Sequence, residues 1–329
     1  MIELLKVPSL TTIQDLGRFG YQKLGIPVSG VMDDYSARLA NYLVENDDNA
    51  PLIEFVLQGP TMKFYSSTVF AVAGEADVYL NGVKIEPWQS YWAKRGDVLE
   101  VGVLKRGVYG YIAFAGGIKC EKILGSCATY LRAKLGGALK AGDKLKLGYA
   151  ILTKKEGKAL PDEFKPEYPN ESEIRVILGP QLEHFTKEGI ETFLSSPYEV
   201  TPNSDRMGYR LEGPKIEHSE KGADIITDAI PLGAIQVPAN GKPIIMLADR
   251  QTTGGYAKIA VVAKVDVPKV AQTRAGGKLR FKAISVEESQ ELLRKRETLL
   301  RNIKALLEGK LRAYKIKALG EEFTVFVEI

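Results

Sequence analysis

The stretch "RFGYQKLG", residues 18–25, returns as "RMGYRLEG" at residues 206–213. Arg-x-Gly-Tyr-x-x-x-Gly thus occurs once near the start of a 329-residue chain and once in its second half. A weaker parallel follows each copy, "PLIEFVLQGP" (51–60) and then "PLGAIQVPANGKP" (231–243). Between these landmarks the chain is built of short runs rich in β-branched and aromatic residues. They include "STVFAVAG" (67–74), "DVYLNGVKI" (77–85), "VYGYIAFAGG" (108–117), "EIRVILG" (173–179), "KPIIMLADR" (242–250) and "KIAVVAKV" (258–265). Such runs read as strands. A chain of this length exceeds one comfortable core, so the repeat reads as tandem duplication of a β-rich lobe.

Turn chemistry supports the strand reading. Asn81-Gly82 separates two strand-like runs, and both residues tolerate the positive φ of a two-residue hairpin. "KRGDVLEVG" (94–102), "KAGDKLKLG" (140–148) and "RAGGKLRFK" (274–282) each set a glycine turn before a strand. Helices are fewer. Asp33 or Asp34 caps a helix through "YSARLANYLV", and "GPQLEHFTKEGIETFL" (179–194) is a second. "SVEESQELLRKRETLLRNIKALLEG" (285–309) is the strongest, with Ser285 and Glu288 placed as a capping box and Gly309 as a stop. Residues 151–172 are charged and proline-bearing and read as a linker. The expected layout is a first lobe over 1–150, a second over 173–284, and a C-terminal helix with a closing strand over 285–329.

Composition excludes several functions. The formal charge is +4 and the basic residues are spread along the chain, which argues against nucleic acid as a ligand. Two cysteines, Cys120 and Cys127, make no disulfide framework, and the only histidines, His184 and His218, suggest no metal site. No 18-residue apolar run or leader is visible, so a cytoplasmic chain is expected. There is no Gly-x-x-x-x-Gly-Lys-[Ser/Thr] loop and no Gly-x-Ser-x-Gly elbow. "TMKF" (61–64) lacks the context of a biotin-acceptor lysine and reads as a strand.

Four stretches combine glycines, hydroxyls and charges more densely than a core requires. "TTIQDLGRFGYQKLGIPVSGVMD" (11–33) carries Arg18 and Tyr21. "LGSCATYLRAKLGGALKAGD" (124–143) carries Ser126 and Arg132. "SDRMGYRLEG" (204–213) carries Asp205, Arg206 and Arg210. "LADRQTTGGYAKIA" (247–260) carries Asp249, Arg250, Gln251, Thr252, Thr253, Gly254, Gly255, Tyr256 and Lys258. Each has a structural reading too: Asp15–Arg18 and Asp205–Arg206 as loop-holding pairs, Arg132 as a solvated face, Thr252–Gly255 as a tight turn. The last stretch has no counterpart in the first half and leaves an apolar strand for a glycine-rich loop, the usual setting for binding groups.

Together these stretches resemble the family called allophanate hydrolase subunit 2, KipA or biotin-dependent carboxyltransferase subunit, from about residue 3 to 285. The resemblance implies a mainly β fold of two cyclophilin-like β-barrel lobes. In fused members the unit lies inside a much larger urea amidolyase. Here Met1 stands directly before the first motif, with no biotin carboxylase or carrier domain. That is more similar to the free-standing branch, the C-type subunit of 5-oxoprolinase (PxpC).

That branch implies ATP-dependent opening of 5-oxoproline to glutamate. ATP with Mg would be a co-substrate of a complex that includes a KipI/PxpB-like and a LamB/YcsF (PxpA)-like subunit. Arg18, Arg132, Arg206 and Arg250 then suit carboxylate or phosphate. Asp249, Asp205 and Lys258 suit proton transfer, and Thr252, Thr253 and the glycine amides suit a developing oxyanion. Two alternatives remain at this point. One is carboxyl transfer from carboxybiotin presented by a separate carrier. The other is a non-catalytic regulatory protein that binds its KipI-like partner.

Overall fold

A computed structural model describes residues 1–8, 10–151, 156–318 and 321–329. The chain is mainly β, as expected. The first half forms two antiparallel sheets. One has six strands in the spatial order 144–145, 2–6, 61–64, 98–104, 76–80 and 83–85. The other has five, in the order 11–14, 52–56, 109–114, 68–73 and 90–93. Asn81 and Gly82 join the hairpin 76–80/83–85 with φ of 52° and 77°, the left-handed pair that a tight hairpin requires. The strands expected after the three glycine turns form at 98–104, 144–145 and 278–283. Asp97 and Asp143 hold two of those turns by accepting the N–H of Lys94 and Lys140.

The five-stranded sheet is buried on both faces, which explains its continuous apolar runs. Along strand 109–114, Ile112 and Phe114 point into the core shared with the six-stranded sheet, beside Phe64, Phe70 and Leu99. Tyr109, Tyr111 and Ala113 point the other way, into a second core with Leu39, Ala40 and Leu43. Those last three lie on helix α1 (Asp34–Leu43), and Asp33 is its N-cap, accepting from Ser36 N.

The second half closes into a seven-strand barrel in the order 171–178, 258–262, 234–236, 244–246, 208–212, 198–200 and 278–283. Strands 171–178 and 278–283, the first and last of the ring, pair in parallel. The barrel interior (Ile174, Val200, Ile235, Ile245, Ile259, Phe281) belongs to the same buried cluster as the outer face of the five-stranded sheet, so one core runs through both halves.

Four helices are described: α1, α2 (Lys187–Ser195), α3 (Val267–Gln272) and α4 (Val286–Leu307). The single helix expected over 179–194 is instead a 3-10 turn at Leu182–His184 followed by α2. Thr186 starts α2 by accepting from Gly189 N, and that cap restarts the chain after the turn. In α4, Ser285 and Glu288 form both bonds of a capping box, and Leu300, Ile303 and Leu307 are buried. Ser285→Ala should cost about 1 kcal/mol, readable as a lowered urea midpoint with an unchanged slope. The closing strand expected after α4 is the second arm of a hairpin, Leu311–Ala318 with Glu321–Glu328.

The segment read as a linker is not loose where it is described. Leu160, Phe164 and Tyr168 are buried, and the barrel's first strand already begins at Glu171; residues 152–155 lie outside the described residues. A disulfide joins Cys120 to Cys127, Cα atoms 5.9 Å apart. It ties one short loop, whereas the sequence suggested no bridge. Among the described residues, no helix is long and apolar enough to cross a membrane, and no cluster of three or more His, Cys, Asp or Glu side chains could hold a metal ion.

The two copies of the opening motif are not equivalent turns. Residues 18–25 form a loop with a 3-10 turn at Gln22–Leu24, bracketed by left-handed Gly20 (φ 93°) and Gly25 (φ 78°). Residues 208–212 are a barrel strand whose Gly208 lies opposite Met246. A cross-strand neighbour holds the second copy extended, and the first copy has none.

Candidate functional site

The loops between the halves carry the polar stretches. The loop after strand 11–14 brings in Arg18 and Ser29, and strand 52–56 brings in Glu54. The loop entering strand 208–212 brings in Arg206, and the loop after strand 244–246 brings in Asp249 and Arg250.

Arg206 sits at the centre of a buried ion cluster. Its Nε donates to Asp249 Oδ2 at 2.9 Å and its Nη2 to Asp249 Oδ1 at 3.0 Å, a bidentate pair. Nη2 also donates to the Gly30 carbonyl at 2.6 Å, and Nη1 forms an ion pair with Glu54. Glu54 Oε2 accepts from Met32 N (2.8 Å) and the Tyr111 hydroxyl (3.0 Å). Burial alone would pull the Arg206 pKa down, but the Glu54 and Asp249 carboxylates more than offset it and hold it above its usual value. Burial pushes the Glu54 carboxyl up, against the pull of Arg206. Ser29 Oγ lies 2.5 Å from Asp249 Oδ1 and 2.9 Å from the Thr129 carbonyl. The cluster therefore pins the 29–32 loop and strand 52–56 of the first half to the barrel.

Both oxygens of Asp249 are engaged by Arg206, and Oδ1 also meets Ser29. Arg206 is likewise met by two carboxylates and the Gly30 carbonyl. Glu54 went unnoticed in the sequence; its only signal was a lone carboxylate inside the apolar run "PLIEFV".

Arg250 differs from Arg206 in the decisive respect. It is 5% exposed, and among the described residues no carboxylate pairs with it. Nε donates to the Ile230 carbonyl at 2.9 Å and Nη1 to that of Leu247 at 3.2 Å, which fixes the plane of the guanidinium. Burial pulls its pKa down to about 10. An uncompensated buried cation is costly. This one borders a cavity of about 420 Å³ between the halves, walled by Leu16, Val28, Met32 and Leu232 with Lys264 at its edge. Asp34, Asp48 and Glu297 also border it, but each is paired with Arg38 or Arg296. Among the described residues, the unpaired charges facing this interlobe cavity are thus Arg250 and Lys264, both positive.

The remaining candidates lie elsewhere. Lys258, 1% exposed, sends Nζ to Asp228 Oδ2 at 3.2 Å. Thr253, Gly254, Gly255 and Tyr256 form a strand paired with Asp224–Ala229 in a two-stranded ribbon, and the Thr252 carbonyl accepts from Ile230 N. The segment is therefore a strand and not a tight turn, because the Asp224–Ala229 arm supplies its hydrogen bonds. Gln251 is exposed, Tyr21 is half-buried beside the 3-10 turn, and Arg210 points outward from its barrel strand. Ser126 Oγ donates to Asp15 Oδ1 at 2.6 Å.

Asp205 uses Oδ1 to hold Met207 N at 2.8 Å, and Oδ2 faces Arg132 at 3.7 Å across the halves. Both of those side chains are more than half exposed, so Arg132→Ala should shift stability by less than about 1 kcal/mol. A thermal melt beside wild type checks it.

Comparison with known proteins adds to this geometry. Residues 24–283 match the carboxyltransferase domain, subdomain A and B. The chain is similar to the C-type subunit of 5-oxoprolinase from Haemophilus influenzae, 36% identical over 315 residues, spanning 94% of this chain and 100% of that one. It is similar to the same 5-oxoprolinase subunit from Escherichia coli, 33% identical over 298 residues, spanning 88% and 93%. Among solved structures it superposes on urea amidolyase of K. lactis with a TM-score of 0.86 at 32% identity, covering 92% of this chain and 20% of that one.

Proposed function

Since this chain belongs to the carboxyltransferase domain family, subdomain A and B, we propose that it is the C-type subunit of an ATP-dependent 5-oxoprolinase, binding the cyclic amide 5-oxoproline for opening to glutamate. The two bacterial relatives that it matches over nearly their whole length bear the name of that subunit. The observation that carries the reading is Arg250: a rigid, buried guanidinium without a counter-charge, on a cavity whose nearby walls are apolar. A small ligand with one carboxylate and a compact apolar ring complements that arrangement. Its carboxylate would take the guanidinium edge that Ile230 and Leu247 leave free, and its ring would pack on Val28, Met32 and Leu232. Lys264 raises the local positive potential at the mouth.

Under this reading, ATP with Mg and the KipI/PxpB-like and LamB/YcsF (PxpA)-like partners belong to the complex, and this chain contributes binding and orientation. Orientation is a large share of catalysis, because a correctly held reactant avoids much of the entropic cost of meeting its attacking group. The site has a second reading, favoured by the likeness to urea amidolyase: the same guanidinium would hold the carboxyl group delivered by carboxybiotin.

The test is reconstitution with the partner subunits, measuring ATP-dependent glutamate release from 5-oxoproline. Turnover that needs this chain supports the proposal. No turnover, with all subunits folded and assembled, overturns it. Transfer of the carboxyl group from a carrier already charged with carboxybiotin to urea, leaving free biotin on the carrier, would favour the second reading.

A further inference from the structure

The two arginines of the repeated motif have opposite fates. Arg206 is neutralised by two carboxylates; Arg18 is equally buried, 1% exposed, and pairs with none among the described residues. Arg18 Nε donates to the Ile123 carbonyl at 2.9 Å, and Nη2 donates to those of Ala128 at 2.8 Å and Ser126 at 3.4 Å. Nη1 is shielded from solvent and has no hydrogen-bond partner. Burial pulls the Arg18 pKa down, and the nearby charges of Asp15 and Asp249 offset this only in part. Carbonyl dipoles thus hold the guanidinium in place, and its charge lacks a direct counter-ion.

Arg18 borders a second cavity, of about 500 Å³, in the first half. Ser126, Thr129, Lys134, Gly136 and Gly137 form much of the rest of its wall. The backbone N–H groups of Gly136, Gly137 and Ala138 donate no hydrogen bond among the described residues. The charged side chains on its wall are Arg18, Lys134, Glu121 and Asp143, and Asp143 is engaged in the turn at Lys140 N (2.9 Å). The cavity backs onto the interlobe cavity: Ser29, on the wall of the latter, meets the carbonyl of Thr129, on the wall of the former.

We propose that this second cavity is a binding site for a phosphate-class oxyanion, with Arg18 as the buried counter-charge, Lys134 as the rim cation and the Gly136–Ala138 amides as neutral donors. Arg18, Lys134 and three amides without a partner offer several donors to a group with several acceptor oxygens, and Glu121 on the same wall limits the charge that group can carry. The anion's source is either the phosphate chain of a nucleotide or free phosphate. The inference rests on this chain alone and stands whether or not 5-oxoproline is the substrate of the interlobe cavity.

The experiment is calorimetric titration of the isolated full chain with inorganic phosphate, pyrophosphate and ATP, at ionic strength held constant with chloride. One saturable site is expected. Lys134→Ala should weaken it roughly fivefold, as loss of one rim charge does. Gly137→Glu should abolish it, because a side chain at 137 meets nothing within 4 Å and places a carboxylate at the wall without disturbing the fold. Far-UV circular dichroism confirms that both variants are folded. Arg301→Ala should leave phosphate affinity unchanged, since Arg301 is an exposed charge on α4 and does not border the cavity. ATP bound more than about tenfold tighter than phosphate identifies a nucleotide as the source, and equal affinities identify the free anion. Absence of saturable binding overturns the proposal. So do wild-type affinities in both first-half variants, or loss of binding in Arg301→Ala.

Discussion

Replacing Arg206 with Met lowers the stability of the chain by about 3–5 kcal/mol, the cost of removing one partner from a buried ion cluster. Two carboxylates, Glu54 and Asp249, are left facing each other without their guanidinium, and the Gly30 carbonyl loses its donor. The pH dependence has a definite sign. Burial already raises the Glu54 carboxyl, and without Arg206 it loses the charge that pulled it down, so the folded variant binds more protons than the unfolded chain. Its stability is then greatest at low pH and falls as pH rises through the raised Glu54 value. Urea titrations at pH 5 and pH 8 should show a larger gap from wild type at pH 8. Adding Glu54→Gln and Asp249→Asn to the variant should recover part of the loss, because neutral partners can satisfy one another. If Arg206→Met unfolds at the wild-type urea midpoint, the cluster does not hold the halves together.

Arg250→Met is expected to do the reverse. The wild-type guanidinium is buried without a counter-charge, so its replacement by an apolar side chain of similar reach should leave stability unchanged or slightly raised. Activity in the reconstituted complex should collapse. Losing one partner of a buried charge pair with the ligand costs about 2–4 kcal/mol, roughly 30- to 1,000-fold in kcat/KM. Arg250→Lys retains charge but loses the planar fork, and should fall between the two. A gain in melting temperature with loss of turnover marks a residue kept for function at the expense of stability. Full activity in Arg250→Met would remove the interlobe cavity from the proposed mechanism.

What the sequence revealed follows from the range of the interactions involved. The Asn81-Gly82 turn, the Asp33 cap and the Ser285–Glu288 box are local, and each was visible because its chemistry is complete within a few residues. The polar stretches stood out by composition, and several do converge between the halves. Their roles did not show, because role depends on the partner. Arg18, Arg206 and Arg250 are the same residue type in similar glycine-bearing loops. Arg206 meets Glu54 from a distant strand, whereas Arg18 and Arg250 meet only carbonyls, each beside a different cavity. The equivalence suggested by the repeat failed for a related reason. Similar letters form a loop where no strand lies alongside and a strand where residues 244–246 do.

The ring of the barrel is completed by its own ends, with strand 171–178 lying parallel to strand 278–283. A ribosome delivers the first of these well before the second, so the barrel stays an open, unpaired sheet until almost the whole chain has been made. The first half, whose two sheets use strands from residues 2 to 145 alone, can be complete by then. Its five-stranded sheet would present Tyr109, Tyr111 and Ala113 as an apolar floor against which the later strands gather. Such late, long-range closure is slow and leaves strand edges bare in the interval. Synthesis of this chain should therefore be most vulnerable to aggregation in its final third.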